Sequence, residues 1–212
     1  MIHVAEYAAW IPMLLFFAAP LAQVYLNWRN HSTKRVSQWT VFLGMSGLIC
    51  SLLYDHFLCL PLAYRCMHPF ILLAWTLLAL QEFWYSGRVV VRSSLVYAYA
   101  AAILATISAL FWGQYYPLEV GVGAGWLFTV LYAVFQLPQI VKNQREKSVE
   151  GLSFWYVSML GVAALAGLVI ACWRLLPLQS LLSAVRGLLV YCVFLYQFAV
   201  FSAGRRRARS LR

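Results

Sequence analysis

The sequence predicts an all-α, polytopic membrane protein with seven transmembrane helices, and three observations support this prediction. Of its 212 residues, 64 % are hydrophobic and only 10 % are charged, whereas about a quarter of the residues in a soluble domain are charged. Seven apolar stretches are each about as long as the roughly 20 residues that a helix needs to cross a bilayer. An internal repeat groups these spans into two parallel triple-helix bundles joined by an inverter helix (3+1+3).

The seven predicted spans alternate with short connections that differ in charge. The spans cover residues 7–28, 39–58, 67–86, 94–113, 120–141, 153–173 and 180–203. Basic residues concentrate after the first, third and fifth spans and in the C-terminal tail: Arg29, Lys34, Arg35, Arg88, Arg92, Lys142, Arg145, Lys147 and the five arginines of residues 205–212. Because basic connections remain in the cytosol, we expect a cytosolic C-terminus and an N-terminus on the outside.

Prolines and serines mark where several spans begin. Pro61, Pro117 and Pro177 lie in the three outer connections, where proline commonly ends a loop or starts a helix. Ser93 and Ser94 stand at the start of the fourth span and are suitable capping residues. These signals place the helix starts without assigning a function to any of the prolines.

The chain repeats itself after 116 residues without a gap. Chance matches of leucine are common in an apolar chain, but matches of Trp, Gln, Asn and Pro in one frame are not. The matched pairs are Trp10 with Trp126, Gln23 with Gln139, Asn27 with Asn143, Trp39 with Trp155, Pro61 with Pro177 and Gln81 with Gln197. Such a period indicates a duplicated unit. We expect a first repeat at 1–88, a linker span at 89–117, a second repeat at 118–204 and a basic cytosolic tail at 205–212.

The segment 136–153 has the most distinctive local pattern. A Pro138–Gln139 pair lies near the end of the fifth span, and proline inside a helix removes a backbone donor and bends or loosens the turn. The side chain of Gln136 or Gln139 could supply a partner for a carbonyl that this proline frees. The first copy has Ala22 opposite the proline and its nearest proline is Pro20, so we expect a weaker or shifted hinge there.

Amide side chains inside the spans are the main candidates for a solute site, because polar groups are costly in lipid. Gln23 and Asn27 share one face of the first span, and Gln139 and Asn143 share the same face of the fifth. If the two helices face each other, these four amides line a central cavity. Alternatively, they bond to neighbouring helices and only stabilise the packing. Asn27 and Asn143 could also cap a helix or gate the cytosolic end of the cavity. The candidate binding and hinge residues are Pro20, Gln23, Asn27, Gln81, Pro138, Gln139, Asn143 and Gln197.

Three ionisable residues are candidates for proton coupling. Glu82 is a carboxylate well inside the third span, near its cytosolic end, and its alternative role is a pair with Arg88 or another loop cation. Asp55 and His56 end the second span on the outer side, where they could form a gate or proton entry or simply be solvated. Adjacent residues point in different directions on a helix, so an Asp–His dyad between these two is not implied.

No pattern in the sequence points to an enzyme, a metal site or a cofactor. The four histidines have no ligand spacing, and neither a catalytic triad nor a phosphate-binding loop is evident. Cys59 and Cys66, both in the first outer connection, could form a disulfide in an oxidising compartment. The net charge of +10 lies in the connections and the tail, which favours anionic lipid head groups over nucleic acid.

The second copy of the hinge segment resembles the PQ-loop family, in the version found in cystinosin-like exporters. The residues that carry the resemblance are Leu137-Pro138-Gln139 and Ser148-Val149-Glu150-Gly151-Leu152-Ser153. The family includes the SWEET sugar transporters, and the KDEL receptor has a related fold. The first copy departs from the motif, with Ala22 at the proline position and Arg35 where Gly151 stands. The resemblance implies a small-solute carrier that works by alternating access about Pro138.

We therefore expect a transporter of a small polar solute, such as an amino acid, a sugar or a similar metabolite, with proton coupling as an option. The alternative is a non-transporting receptor or assembly factor on the same fold, whose partner the arginine tail would bind. The excess of arginine over lysine favours a bacterial inner membrane over an endolysosomal membrane. The expected partners are the solute and membrane lipids, without a cofactor or nucleic acid, and a homo-oligomer is left open.

Overall fold

The computed structural model describes residues 7–34, 36–85, 89–174 and 176–210. Its helices are α1 (Trp10–Asn30), α2 (Gln38–Phe57), α3 (Leu62–Tyr85), α4 (Val89–Gly113), α5 (Pro117–Val134), α6 (Leu137–Glu146), α7 (Phe154–Arg174) and α8 (Leu178–Ser210). These ranges contain no β-strand, which confirms the all-α class. Of the predicted basic residues, Arg35, Arg88 and Arg212 lie outside the described residues.

Most of these helices are long and apolar enough to cross a membrane. Within the described ranges, six segments qualify: α1, α2, α3, the stretch formed by α5 and α6 (Pro117–Glu146), most of α7 (Phe154–Trp173) and the first part of α8 (Leu178–Phe201). α4 adds a shorter apolar helix at Tyr99–Gly113. Large hydrophobic side chains cover the outer surface, as at Leu104 and Leu189, which suits lipid as the solvent. The chain is a multi-pass integral membrane protein.

The helices form two triple-helix bundles, as the repeat predicts. In the first bundle α3 packs against α1 and α2, and in the second α8 packs against α7 and against both α5 and α6. The bundles meet where α1 packs against α7 and where α2 packs against α5. A shift of 116 residues places α1 on α5 and α6, and α2 on α7, so these two contacts are equivalent in the repeat. α4 lies against α2 and α5, in the place of the predicted inverter helix.

Two glycines allow α2 and α5 to approach each other closely. A Cβ at Gly47 would lie 2.5 Å from Cδ2 of Tyr132, and a Cβ at Gly125 would lie 2.6 Å from Cδ2 of Tyr54. Carbon atoms do not approach so closely, so a larger residue at either position would push the helices apart. Small residues at helix crossings are the usual means of close packing in membranes. Both tyrosines also face the space between the bundles.

The fifth span is broken where the sequence predicts a hinge. α5 ends at Val134 and α6 begins at Leu137, with a two-residue turn between them. Pro138 has no N–H to offer the carbonyl of Val134, so the helical hydrogen-bond ladder is interrupted at this point. In the first copy, α1 runs through Pro20 as a single helix. The fifth span is therefore broken and the first is continuous, as expected from the presence of Ala22 at the position that corresponds to Pro138.

The ends of α1 and α6 repeat each other in backbone detail. His31 and Lys147, which are 116 residues apart, follow these helices in the left-handed conformation with φ of 46° and 45°. In both places the N–H of the next residue donates to the carbonyl of an asparagine, at 3.2 Å for Asn27 and 3.1 Å for Asn143. This is a helix-ending arrangement that satisfies otherwise unpaired carbonyls. The duplication thus extends to individual hydrogen bonds.

Candidate functional site

The amides of the first copy form a continuous chain of hydrogen bonds, which we call the first relay (Gln81, Asn27, Gln23, Gly151 and Ser153). Asn27 donates from Nδ2 to Oε1 of Gln81 at 3.1 Å, and Gln23 donates from Nε2 to Oδ1 of Asn27 at 2.8 Å. Gln23 also donates to the carbonyl of Gly151 at 2.8 Å and accepts the N–H of Ser153 at 2.7 Å. The first relay therefore joins α3 and α1 to the loop before α7, which belongs to the other bundle.

The second copy forms the matching chain, the second relay (Gln197, Asn143, Gln139 and Ser37). Asn143 donates to Oε1 of Gln197 at 2.9 Å, and Gln139 donates to Oδ1 of Asn143 at 2.8 Å. Oε1 of Gln139 accepts the N–H of Ser37 at 2.7 Å. This relay joins α8 and α6 to the loop before α2. Each copy thus completes its hydrogen bonds with the loop backbone of the other copy.

The loop that meets Gln23 is shaped by a glycine. Gly151 has φ of 79°, a left-handed conformation that glycine adopts without strain. The carbonyl of Gly151 itself accepts from Gln23. The N–H that donates to Gln23 belongs to Ser153, two residues later. The Ser-x-x-Gly-x-Ser pattern of the sequence therefore supplies the backbone groups of the first relay. Arg35, the counterpart of Gly151 in the first copy, lies outside the described residues.

A lysine adds a further link between the bundles at the same end. Lys142 on α6 donates from Nζ to the carbonyls of Lys34 and Val36, the latter at 3.0 Å. The carboxylate of Glu82 on α3 is buried within electrostatic reach of Lys142, and its Oε1 has no hydrogen-bond partner among the described residues. The repeat places Leu26 opposite this lysine, so the link exists in one copy only.

A cavity of about 110 Å³ lies between the two bundles. Helices α1, α2, α3, α5, α7 and α8 all contribute to its wall, which is mostly aromatic and aliphatic. The polar lining includes Asp55, His68, Gln136, Ser180, Ser183 and Arg186. Gln136 is one helical turn from Gln139 of the second relay. The cavity therefore ends close to the relays.

The structure corrects the predicted location of the four span amides. Gln23, Asn27, Gln139 and Asn143 are buried but do not line the cavity. Their polar atoms are occupied by one another and by the loops of the opposite copy, so the cavity wall is built from other residues. This corresponds to the alternatives in which amides bond neighbouring segments or gate the path. Their functional role stays a prediction.

The cavity contains an acid–histidine pair that sequence reasoning did not identify. Asp55 on α2 is in contact with Nδ1 of His68 on α3, and both side chains are buried. His56 is exposed and packs edge-on against Phe57, so of the two adjacent candidates only Asp55 lines the cavity. A histidine inside an apolar span, on a helix joined to α2 by a short loop, was the available signal. The described residues hold no His, Cys, Asp and Glu group suited to a metal ion.

Arg186 is a second site residue that sequence reasoning missed. It lies about two turns into α8, with its guanidinium carbon 4.9 Å from the ring centroid of Phe135 and 5.3 Å from that of Tyr132. Its Nε has no hydrogen-bond partner in the described part of the chain. The signal was an arginine within an apolar span, which is costly in lipid and marks a functional position.

The structure does not contain the disulfide that Cys59 and Cys66 could form. Cys59 and Cys66 are both free thiols. Cys59 is exposed and follows α2 in a left-handed conformation with φ of 50°. Its Sγ lies 3.9 Å from the carbonyl oxygen of His56. Cys66 lies within α3 and is half-buried there. The two thiols therefore belong to different local environments despite their short separation in sequence.

Comparisons with known proteins agree with the repeat and the fold. Residues 4–61 and 120–180 each match the PQ loop repeat family, so the matches span more than half of the chain, and their first residues are separated by the 116-residue repeat. No curated protein matches the sequence. Among solved structures, the 3.7 Å structure of a eukaryotic SWEET transporter has a similar fold, with a TM-score of 0.67 and 14 % identity over 95 % of this chain and 96 % of that chain.

Proposed function

Because the chain belongs to the PQ-loop repeat family, we propose that it carries a small polar solute across its membrane by alternating access. The fold similarity to a SWEET transporter supports the proposal. A carrier of this architecture binds its solute between two repeat-related bundles and exposes the site to each side in turn. The proposal includes no chemical change of the solute, and therefore no enzymatic step.

The proposal depends chiefly on one observation: two repeat-related relays close the space between the bundles beside the cavity. Three of their hydrogen bonds cross between the bundles, from Gln23 to Gly151, from Ser153 to Gln23 and from Ser37 to Gln139. A hydrogen bond contributes about 1 kcal/mol net. The closed end is then stabilised by a few kcal/mol, which is the range in which two conformations interconvert.

The helix break lies between the relay and the cavity, which suits a hinge. Phe135, in the turn before Pro138, lines the cavity and stacks on Arg186. Gln139, on the other side of the break, belongs to the second relay. A rotation at this turn would move the relay end of the fifth span relative to its cavity end. α1 has no break, so we propose that the first bundle serves as the frame.

We propose that the relays mark the cytosolic end, with the N-terminus outside and the C-terminus in the cytosol of a bacterial cell. The exposed basic residues Arg29, Lys34, Arg145 and Lys147 lie in or beside the connections that carry the relays, and such residues remain on the cytosolic side. Each functional half extends to its third helix, over 1–88 and 118–204, because Gln81 and Gln197 complete the relays.

Proton coupling remains part of the proposal. Glu82 lies beside Lys142 at the relay end, and the Asp55–His68 pair lies in the cavity. These groups are ionisable. In the proposed cycle the relay end opens and closes and the cavity binds and releases the solute, so the surroundings of both groups change. We propose that a proton bound at one of them accompanies the solute.

The test is solute counterflow in liposomes with the cavity filled by mutation. Ala184 lines the cavity from α8, whereas Leu189 on the same helix is 64 % exposed to the outer surface. Ala184→Trp should abolish transport of any carried solute, because an indole would occupy a space of about 110 Å³. Leu189→Trp should leave transport unchanged. Equal rates in the two variants would mean that the solute does not pass through this cavity.

A further inference from the structure

We infer that the cavity binds the carboxylate of a small organic acid through Arg186, while a hydroxyl or amino group of the same solute hydrogen-bonds to Gln136 or Ser183. The inference rests on the proposed function and narrows its substrate class. It depends on the charge, the unpartnered atoms and the volume of the cavity.

The guanidinium of Arg186 is held by aromatic rings and not by an anion. It lies over the rings of Phe135 and Tyr132. Stacking on aromatic faces leaves the N–H groups at the edge of a guanidinium available for a planar acceptor. Nε indeed has no partner among the described residues, and none of their carboxylates forms a salt bridge with Arg186.

The charge of Arg186 is not balanced inside the cavity. Asp55 lines the same cavity but is already in contact with His68. Among the described lining residues, Arg186 is the only arginine or lysine. A cation with mostly apolar surroundings costs free energy unless an anion accompanies it. A carboxylate is a fitting occupant, because its two oxygens match the parallel N–H groups of arginine.

Two further lining residues carry a buried oxygen without a hydrogen-bond partner: Gln136 and Ser183. Gln136 donates from Nε2 to the hydroxyl of Tyr156 at 3.2 Å, which leaves its Oε1 as an acceptor. Buried polar atoms almost always have partners, so such atoms in a cavity are candidates for ligand contact. The amide oxygen of Gln136 cannot bond a carboxylate, which has no proton to donate, but it can accept from a hydroxyl or ammonium group on the solute. The hydroxyl of Ser183 can donate as well as accept.

The volume limits the solute to a few carbon atoms. The cavity measures about 110 Å³, which is smaller than the roughly 150 Å³ of an engineered cavity that holds benzene. A compact hydroxy acid or amino acid with about six heavy atoms, as many as benzene has, is then at the upper limit of this space, and a hexose with about twelve exceeds it. The probes that match the inference are therefore lactate and alanine.

The test measures binding and counterflow of the purified full-length protein in liposomes. Lactate and alanine carry the carboxylate and a donor, propionate lacks the donor, and glucose lacks the carboxylate. We expect lactate, alanine or both to bind, and propionate to bind about 10-fold more weakly. The comparison of lactate with alanine identifies the donor that the cavity prefers.

Substitutions of Arg186 separate its charge from its shape. Arg186→Gln should weaken binding by about 100-fold, because the carboxylate loses a charged partner. Arg186→Lys keeps the charge without the planar fork and should weaken binding by about 10-fold, and it serves if the first variant fails to fold. Arg29→Gln, at an exposed position in the last turn of α1, is the control and should bind as the unmodified protein does.

The outcomes of this test distinguish the inference from the proposed function. Binding of lactate or alanine that depends on Arg186, without counterflow, would support the inference and overturn transport. Counterflow of glucose with no binding of lactate or alanine would support transport and overturn the inference. Lactate and alanine binding that is unchanged in folded Arg186→Gln and Arg186→Lys would also overturn it, as would the absence of binding at millimolar concentrations.

Discussion

Gln23 and Gln139 each satisfy a backbone N–H that belongs to the opposite copy, at 2.7 Å in both cases. Both are almost completely buried, at 1 % exposure. Removal of either side chain leaves that N–H and an asparagine oxygen without their partners. An unsatisfied buried group costs more than the bond itself contributes, about 1 to 3 kcal/mol.

We therefore predict that Gln23→Ala and Gln139→Ala each lower the unfolding temperature in detergent and increase labelling of the loops before α7 and α2 from the cytosolic side. Thermal unfolding with thiol labelling of introduced cysteines measures both effects. Ser46→Ala is the matched control, because Ser46 donates to the carbonyl of Phe42 within its own helix. If Ser46→Ala lowers the unfolding temperature as much as the two glutamine substitutions do, the relays contribute no more stability than a hydrogen bond within one helix.

At the residue scale, the sequence predicts the relay side chains but not their partners. The spacing of Gln23 and Asn27 places them on one face, and the repeat identifies their copies. The N–H of Ser153, which donates to Gln23, is a backbone group in the other bundle, and no side-chain pattern identifies it. His68 and Arg186 were identifiable in principle, because ionisable groups inside spans are rare.

At the scale of the helix, the turn before Pro138 is the one break in the described spans that the repeat does not duplicate. We predict that Pro138→Ala slows transport at least about tenfold without lowering thermal stability. Alanine restores a backbone donor for the carbonyl of Val134 and favours a continuous helix by as much as about 3 kcal/mol over proline. Counterflow rates and unfolding temperatures of the purified variant measure the two effects.

Pro20→Ala is the control for this prediction. α1 already contains Pro20 without a break, so the substitution should change the transport rate much less than Pro138→Ala does. Equal slowing by the two substitutions would mean that both copies bend, and it would remove the distinction between a moving bundle and a frame. The sequence predicts this difference because the two prolines are displaced by two positions in the repeat frame.

At the scale of the whole molecule, the lysines offer a direct test of movement between the bundles. The sequence has only three, Lys34, Lys142 and Lys147, and Lys142 contacts the backbone of Lys34 across the bundle interface. We predict that a short, cleavable amine cross-linker joins Lys34 to Lys142 and stops transport, because the relay end can no longer open. Mass spectrometry identifies the linked peptides, and cleavage of the linker should restore the rate.

Lys142→Arg provides the control for the cross-linking experiment. Arginine keeps the positive charge but does not react with the amine reagent, so transport of this variant should resist the treatment. Transport by the unmodified protein that continues after complete Lys34–Lys142 linkage would contradict a cycle in which the two bundles separate at this end. The readout is the rate per linked molecule.

Composition and periodicity predict most of the global fold. Apolar length places the spans, and the matching Gln, Asn, Trp and Pro residues identify two copies of three helices. The cavity is harder to predict, because its wall combines residues from six helices whose rotations depend on packing. Gly47 and Gly125 are examples. Only the structure shows that Tyr132 packs against Gly47 and Tyr54 against Gly125, in space that a side chain at either glycine would occupy.

The exchange of hydrogen bonds between the two copies has a consequence for their origin. Each copy depends on the other for the backbone groups that saturate its amides, so a lone three-helix ancestor would be complete only as a pair of identical chains. Gene fusion would have joined such a pair at a fixed one-to-one ratio. Each copy was then free to diverge, as the unmatched Pro138, Lys142 and Arg186 of the second copy illustrate.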